Sequence, residues 1–311
     1  MTKIQAKSKR SGALLRSGER ISSIPSPIGY IRKYGGLPPT KKALGQNWLN
    51  NSETAKQIVD ILNPMPKEQI VEVGPGCGAL TDHLLSRQAQ VIAVEIDQRL
   101  LHHLESYQKN YPTFRIHHAD ILQTDLATIT DHKPFSVIGN LPYHITSSML
   151  FKLFDHAREH PGTLRRAVLM VQLEVAKRIV AQPGESEYGI LSVFIRFWGE
   201  PELALVVPKE QFTPSPKVNA GILRLDFSAA PRYPLPDWLT LKRLVKGAFA
   251  KRRKMLRNSL PGIICLGDWK ALDFDWSRRP QTVSAEEFAA LAEKLIPKNE
   301  NQQDDNGIRR L

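Results

Sequence analysis

The tetrapeptide Asn140-Leu141-Pro142-Tyr143 places an amide, a proline and an aromatic ring directly after an apolar run. Proline keeps the residue before it out of the helical region, so the backbone carbonyls near Leu141 face outward instead of joining a helix. The Asn140 side chain and the Leu141 carbonyl then offer two hydrogen-bond acceptors, and Tyr143 offers a ring for stacking. These parts suit a planar amino group, such as that of a nucleobase lifted out of its stack. An ordinary turn after a strand uses the same residue types, so the four residues alone leave both interpretations open.

A glycine-rich turn is the second candidate site. Gly74, Gly76 and Ala79 fit the spacing G-x-G-x-x-G/A, and Glu95 follows in the next predicted strand. Glycines let a backbone approach its ligand closely, and an acid at the end of the following strand can accept both hydroxyls of a ribose. The pattern predicts a nucleoside cofactor, and it fits a nicotinamide dinucleotide as well as S-adenosylmethionine. Asp120, which could accept a hydrogen bond from an adenine amine, and the Asn140 tetrapeptide favour S-adenosylmethionine.

Alternating strand and helix patterns indicate how these residues are positioned. Strands are predicted at 70–73, 91–95, 114–118, 135–138, 167–171, 204–207 and 221–227, with helical spacing between most of them. Strands separated by helices predict an α/β fold with a doubly wound, Rossmann-like parallel sheet. The last two strands are joined by a loop too short for a helix, so they should pair antiparallel at one edge. The glycine turn, Glu95, Asp120 and Asn140 all follow strands, and carboxyl ends of strands are where open sheets bind ligands.

Composition limits the class of protein. The chain has 311 residues, a net charge of +12 and a pI near 9.7, which indicates a polyanionic partner, most simply nucleic acid. It contains no apolar stretch of membrane-spanning length and no apolar core of a secretory signal at its N-terminus. Cys77 and Cys265 form no metal-ligand spacing, so we expect reduced thiols, a cytoplasmic location and no metal site.

The positive charge is concentrated in two segments. Residues 1–45 hold ten Lys or Arg and one acid, which predicts a disordered basic arm and is also compatible with an organelle transit peptide. Residues 232–257 hold nine Lys or Arg and one acid, with apolar residues at helical spacing, which predicts an amphipathic helix. Such a density of cations favours contact with phosphates over a merely solvated face. The residues expected to bind RNA are Lys246, Lys251, Arg252, Arg253, Lys254 and Arg257.

With these motifs in place, the chain resembles the KsgA/RsmA family of ribosomal RNA adenine dimethyltransferases. The resemblance runs from about residue 42 to 297, so it leaves out the basic arm and a short polar tail. It depends on six ordered motifs: Leu44-Gly45-Gln46-Asn47-Trp48-Leu49, the glycine turn at 71–81, Asn140-Leu141-Pro142-Tyr143, Gln172-Leu173-Glu174-Val175-Ala176, residues 212–218 and residues 251–260. The family usually has Phe where Trp48 stands, a change that preserves an aromatic ring.

The resemblance implies an enzyme that uses S-adenosylmethionine to dimethylate N6 of two adjacent adenosines in the 3'-terminal hairpin loop of small-subunit (16S) ribosomal RNA, with a role in ribosome biogenesis. Its partner would be ribosomal RNA in the assembling small subunit, and we expect a monomer that needs no membrane. The implied layout is a basic arm (1–40), a methyltransferase domain (41–228), a small helical RNA-binding domain (229–298) and a polar tail (299–311).

The resemblance also implies roles for individual residues. Asn47, Leu49 and Gly76 would contact the cofactor. Gly74 would line its methionine end, Glu95 would bind its ribose and Asp120 its adenine. The catalytic residues would be Asn140, Leu141, Pro142, Tyr143 and Phe212. Asn140 would bridge cofactor and target amine, while Tyr143 and Phe212 would sandwich the flipped base.

Three alternatives remain open from the sequence. An antibiotic-resistance methylase acts on a large-subunit ribosomal adenosine with a similar pocket. An assembly or transcription factor could bind RNA on the same fold without turnover. A nicotinamide-dependent oxidoreductase would account for the glycine turn, but it leaves the amine pocket and the basic cluster unexplained.

Overall fold

The structure is a computed structural model that describes residue 30 and residues 36–41, 44–234, 237–260 and 272–294. Most of the predicted basic arm, the whole polar tail and Cys265 lie outside the described residues. None of the helices in the described ranges is long and apolar enough to cross a membrane.

Seven of the described strands form one mixed sheet. They are β2 (Gln69–Val73), β3 (Gln90–Glu95), β4 (Phe114–His118), β5 (Phe135–Asn140), β6 (Leu164–Gln172), β7 (Pro201–Val207) and β9 (Ala220–Asp226), in the order β4-β3-β2-β5-β6-β9-β7. β1 (Trp48–Leu49) and β8 (Phe212–Thr213) form a separate antiparallel pair. The five strands from β4 to β6 are parallel, and β2 is buried along its whole length because helices cover both faces.

The helices follow the strands as the sequence predicts. They are α1 (Ser52–Leu62), α2 (Thr81–Ser86), α3 (Gln98–Asn110), α4 (Leu126–Ile129), α5 (Thr146–Glu159), α6 (Leu173–Val180), α7 (Ile190–Ile195), α8 (Trp238–Ala250), α9 (Leu256–Ser259) and α10 (Ala285–Lys294). Side-chain caps begin several of them: Asn51 accepts from the Thr54 amide, Asp97 from the Arg99 amide and Asp125 from the Ala127 amide.

The predicted α/β class and the antiparallel pairing at one edge are confirmed. β7 is the edge strand and pairs antiparallel with β9. The sequence did not reveal that β9 also pairs antiparallel with β6, so that the last strand inserts between β6 and the edge. The short loop after β7 accounts only for the pairing of β9 with β7, because it allows a direct return beside the preceding strand.

The single amphipathic helix predicted through residues 232–257 is wrong in extent. α8 covers only Trp238–Ala250, and residues 251–254 form a turn before α9. The buried face of α8, which includes Leu241, Leu244 and Val245, has no apolar continuation in the run of four cations that follows. Most helical stability in proteins comes from packing of an apolar face, and these four consecutive cations add no apolar side chain to that face, so the helix ends before them.

Candidate active site

A pocket lies at the carboxyl ends of β2, β3 and β5. Residues 44–49 form one wall, the glycine turn forms the floor, and Glu95, Asn140 and Pro142 complete the lining. The structure therefore brings together the predicted residues Asn47, Leu49, Gly74, Gly76, Glu95 and Asn140 at one sheet edge.

The three glycines of the turn are needed for different reasons. Each has a positive φ, which favours glycine. A Cβ on Gly74 would meet nothing within 4 Å, whereas one on Gly76 would lie 2.7 Å from Trp48 Cζ3 and one on Gly78 would lie 2.0 Å from the Tyr107 hydroxyl. Gly74 thus leaves open space for a ligand, while the other two make room for aromatic side chains of the protein.

Glu95 is held by backbone amides. It is the last residue of β3 and is buried, its Oε1 accepting from the Asp97 amide at 2.8 Å and its Oε2 from the Gly76 amide at 3.2 Å. Burial raises the pKa of this carboxyl above its usual value. Each oxygen has a further lone pair, so the side chain can still accept the hydroxyls of a ribose.

Asn140 is oriented by the N-terminal segment. Its Nδ2 donates to the Asn47 carbonyl at 3.0 Å, which leaves Oδ1 as the acceptor available to a ligand. Gly139 allows this placement, because a Cβ there would lie 2.6 Å from the Val73 carbonyl of the neighbouring strand. The close approach of β5 to β2 brings Asn140 beside the glycine turn.

The rest of the tetrapeptide is arranged for support and stacking. The Leu141 side chain is buried and its amide donates to the Met170 carbonyl at 3.1 Å. Pro142 has an extended ψ of 132° and precedes a 3₁₀ turn, Tyr143–Ile145. Tyr143 is half-buried, and burial raises the pKa of its hydroxyl, so the ring is neutral at ordinary pH.

Four predicted residues, Leu141, Tyr143, Asp120 and Phe212, lie outside the pocket lining. Asp120 follows β4 at the same sheet edge, where its Oδ1 accepts from the Leu122 amide at 2.8 Å, leaving Oδ2 for a ligand. Phe212 lies in β8 opposite Leu49, with only 4% of its surface exposed, and packs in the core beside α1. Stacking a base on Phe212 would therefore require its ring to be uncovered first.

A group of residues that the sequence reasoning missed holds the N-terminal wall. Asp97, two residues after Glu95, accepts hydrogen bonds from Gln46 and Arg99 and lies within 3.4 Å of the Lys41 ammonium. Asp97 could have been noticed as a helix N-cap, but no spacing in the sequence connects it with Gln46.

The predicted RNA-binding cations divide into exposed and structural ones. Lys246, Lys251, Arg253, Lys254 and Arg257 are exposed around the end of α8. Arg252 is partly buried and donates to the Ser186 and Tyr188 carbonyls, the latter at 2.8 Å, so part of its hydrogen-bonding capacity is used within the protein. Two further cations of the cluster are paired, Arg232 with Glu200 and Lys242 with Asp155.

Within the described ranges, no group of three or more His, Cys, Asp or Glu side chains is arranged to hold a metal ion.

Comparisons with known proteins agree with this geometry. The sequence profile of the family described as ribosomal RNA adenine dimethylase matches residues 39–293. Ribosomal RNA small subunit methyltransferase A of Marinobacter nauticus is 33% identical over 268 residues, which cover 86% of this chain and 96% of that protein. The protein of the same name from Syntrophotalea carbinolica is 39% identical, covering 83% of this chain and 97% of that one.

Solved structures show the same fold. A dimethyladenosine transferase from Plasmodium falciparum superimposes with a TM-score of 0.65 at 22% identity, covering 78% of this chain and 95% of that one. The 23S rRNA methyltransferase ErmE gives a TM-score of 0.60 at 28% identity, covering 80% of this chain and 99% of that one.

Proposed function

The chain belongs to the ribosomal RNA adenine dimethylase family, and from this premise we propose that it uses S-adenosylmethionine to dimethylate N6 of two adjacent adenosines in the 3'-terminal hairpin loop of small-subunit (16S) ribosomal RNA. We place this activity in ribosome biogenesis in the cytoplasm, with the assembling small subunit as partner and a monomer as the active form. The observation that carries the proposal is the hydrogen bond from Asn140 Nδ2 to Asn47, which leaves the amide oxygen as the available acceptor of a residue that lines the same pocket as Glu95.

The pocket suits the cofactor. Gly74 leaves open space where a side chain would otherwise project, and the buried Glu95 carboxylate has acceptor positions left for two ribose hydroxyls. In this proposal Asn47 and Leu49 cover the cofactor, Gly76 lies below it, and the free oxygen of Asp120 takes the adenine amine. When bound, S-adenosylmethionine supplies an electrophilic methyl group.

The chain's own residues prepare the acceptor amine. Adenine N6 is a poor nucleophile because its lone pair is delocalised into the ring. Hydrogen bonds from N6 to Asn140 Oδ1 and the Leu141 carbonyl would favour a pyramidal nitrogen, and Pro142 keeps the backbone extended so that this carbonyl is accessible. Fixing reactants in line is worth about 7–11 kcal/mol of a barrier.

Stacking and proton release complete the mechanism. Tyr143 would stack on the flipped base and offset part of the few kcal/mol that unstacking costs. Phe212 remains a proposed second stacking partner, on condition that its ring is uncovered when RNA binds. Since the described residues that line the pocket include no histidine, we propose that the N6 proton leaves to solvent after transfer.

The basic surface supplies RNA affinity. Lys246, Lys251, Arg253, Lys254 and Arg257 are exposed on the helical part, and contacts of this kind position RNA without reading its sequence. Arg252 is proposed to contact RNA only with the donors that its two carbonyl partners leave available.

The test is methylation of ribosomal RNA by Asn140→Ala and by Asn110→Ala, whose side chain donates only to the end of its own helix. We expect wild type and Asn110→Ala to produce primer-extension stops at two adjacent adenosines of small-subunit RNA. Asn140→Ala should reduce these stops at least 100-fold, because removing an interaction that forms mainly in the transition state lowers turnover.

Three results would count against the proposal. Near wild-type methylation by Asn140→Ala would refute the role of Asn140, provided that the variant still binds cofactor. Stops only in large-subunit RNA would assign the protein to the other ribosomal subunit. RNA binding without any stops in wild type would indicate a binding factor on this fold.

A further inference from the structure

The N-terminal wall of the pocket is a strap that several elements hold in place. We define the strap as residues 36–41 and 44–49. It contacts the end of β5 through the Asn47 carbonyl and Asn140, and it contacts the glycine turn through Trp48, which packs against Gly76. Its last residue, Leu49, pairs with Phe212 of β8. The strap thus joins the two halves of the site.

Asp97 is the centre of the strap's attachment. Its side chain has no exposed surface, and it caps α3 by accepting from the Arg99 amide at 3.2 Å. Oδ2 also accepts from Gln46 Nε2 at 2.9 Å and from Arg99 Nη2 at 2.6 Å, while Oδ1 lies 3.4 Å from Lys41 Nζ. The Arg99 guanidinium holds the pKa of this carboxyl well below its usual value, so it is ionised at any working pH.

Gln46 and Arg99 extend the attachment to the rest of the strap. Gln46 Oε1 accepts from the Lys41 amide at 2.9 Å, which closes a small ring of hydrogen bonds within the strap. Arg99 Nη1 donates to the Pro39 carbonyl at 2.9 Å. We call the side chains of Asp97, Gln46 and Arg99 the anchor. Their hydrogen bonds fix strap residues on both sides of positions 42 and 43.

The anchor is next to the proposed ribose contact. The Asp97 amide donates to Glu95 Oε1. Asp97 therefore contacts the proposed ribose-binding carboxylate through its backbone and the strap through its side chain. Residues 44–49 form a wall of the pocket, and a displaced strap would lose that wall together with the hydrogen bond that orients Asn140.

We propose that Asp97, Gln46 and Arg99 are positioning residues that hold the strap over the cofactor and thereby set its affinity and residence time. The inference rests on the proposed function only in taking S-adenosylmethionine as the ligand. A merely structural role for Asp97, as the cap of α3, makes a different prediction, because it requires neither Gln46 nor Lys41.

The experiment compares Gln46→Ala, Asp97→Asn and their double variant with wild type. S-adenosylhomocysteine is the probe, with Kd from calorimetry and dissociation rates from stopped-flow fluorescence. Each single variant loses a hydrogen bond to a charged group or the charge itself, so we expect Kd and dissociation rate to rise about tenfold or more. Because the two side chains act through one bond, the double variant should be weakened less than the product of the single effects.

A matched control separates strap anchoring from helix capping. Asp125 caps α4 by accepting from the Ala127 amide at 3.0 Å, as Asp97 caps α3, but no strap residue is among its hydrogen-bond partners in the described ranges. Asp125→Asn should leave Kd within twofold of wild type. In methylation assays, the anchor variants should raise KM for the cofactor by a larger factor than they lower kcat.

Proteolysis gives a readout that needs no turnover. The Lys41 side chain is 49% exposed, so trypsin can cut after it when the strap leaves the surface. We expect Gln46→Ala and Asp97→Asn to be cut after Lys41 faster than wild type and Asp125→Asn, with S-adenosylhomocysteine slowing the cut in wild type.

The outcomes separate the two proposals. Wild-type protein that binds no S-adenosylhomocysteine would overturn the proposed function and the strap inference together. Wild-type binding with unchanged Kd and cleavage in Gln46→Ala would overturn the strap inference alone. If Asp97→Asn loses affinity while Gln46→Ala does not, the Asp97 charge acts without the Gln46 attachment, because asparagine caps a helix as well as aspartate, and this result also overturns the inference.

Discussion

At the scale of single residues, two glycines of the glycine turn have different surroundings, although the sequence does not distinguish them. Gly74 and Gly78 both have positive φ values, +64° and +86°. Only Gly78 is packed against another side chain, the Tyr107 ring, whereas Gly74 faces the pocket. Alanine costs about 1–2 kcal/mol of backbone energy at either position. Any difference in stability or binding between the two alanine variants therefore results from the atoms around each glycine.

We therefore predict opposite outcomes for two alanine substitutions. Gly74→Ala should remain folded, with a modest loss in thermal stability, but bind S-adenosylhomocysteine at least tenfold more weakly, because its methyl group enters the ligand's space. Gly78→Ala should lower the free energy of unfolding by about 3 kcal/mol or more, because its methyl group overlaps Tyr107. Differential scanning fluorimetry and calorimetric binding measure both, and equal stability losses for the two variants would contradict this division.

At the scale of elements, the turn at the end of α8 determines which of the proposed RNA-binding cations are exposed. Arg252 turns back onto the Ser186 and Tyr188 carbonyls and ties the turn to the segment before α7. Lys251 and Lys254 of the same turn are exposed. A continuous basic helix would have presented these residues as equivalent, and the turn separates them.

We predict that substitutions of the exposed lysines weaken RNA binding, whereas substitution of Arg252 lowers the stability of the fold. The double variant Lys251→Ala/Lys254→Ala should weaken RNA binding and reduce the slope of log K against log salt by about one to two, without changing thermal stability. Arg252→Ala should lower the free energy of unfolding by about 1–3 kcal/mol, because it leaves two carbonyls without their donor. Filter binding at several salt concentrations, paired with thermal unfolding, makes the comparison, and identical behaviour of the two variants would refute it.

Some features of the fold could be predicted from the sequence, and others could not. The strands and the shared edge of Glu95 and Asn140 were predictable, because hydrophobic period and loop length are local properties. The anchor at Asp97 was not, because Gln46 finds its partner only after the sheet has formed. The insertion of β9 between β6 and β7 was not predictable either, since strand order depends on competition among distant pairings.

At the scale of the whole molecule, the sheet and the helical part share one apolar core. The buried cluster that contains Val71 and Phe135 of the sheet continues through α8 to Phe288 of α10. The Tyr188 hydroxyl also donates to the Val283 carbonyl at 3.1 Å. The predicted domain boundary at 228 stays a prediction, and the shared core implies that both parts unfold together.

Two carboxyl groups close to the glycine turn, those of Glu72 and Asp82, make the free energy of unfolding sensitive to pH. Burial raises the pKa of Glu72 to about 8 and that of Asp82 to about 7. Glu72 accepts from the Thr81 hydroxyl at 2.7 Å, which offsets only part of the cost of burying its charge. Between about pH 4.5 and 8 the folded protein holds protons that the unfolded chain releases, so stability decreases as pH rises through this window.

We predict a single thermal transition whose free energy of unfolding falls by about 1–3 kcal/mol between pH 6 and pH 8.5. Glu72→Gln keeps an acceptor for Thr81 but cannot ionise, so it should flatten this dependence. Glu53→Gln, which changes an exposed acid in the first turn of α1, should leave it unaltered. Calorimetric melts across the pH range test this, and two separated transitions or a rise in stability with pH would contradict it.

The long-range pairing of the strap has a consequence for biosynthesis. Asn50 and Thr213, which join β1 to β8, lie 163 positions apart, so the strap is translated long before its last partner. Asp97 emerges next, Asn140 later and β8 last, and contacts between such distant residues form slowly because the loop between them must close first. The pocket is therefore completed only in a nearly finished chain, and nascent protein should acquire the proposed cofactor affinity as a late event of its maturation.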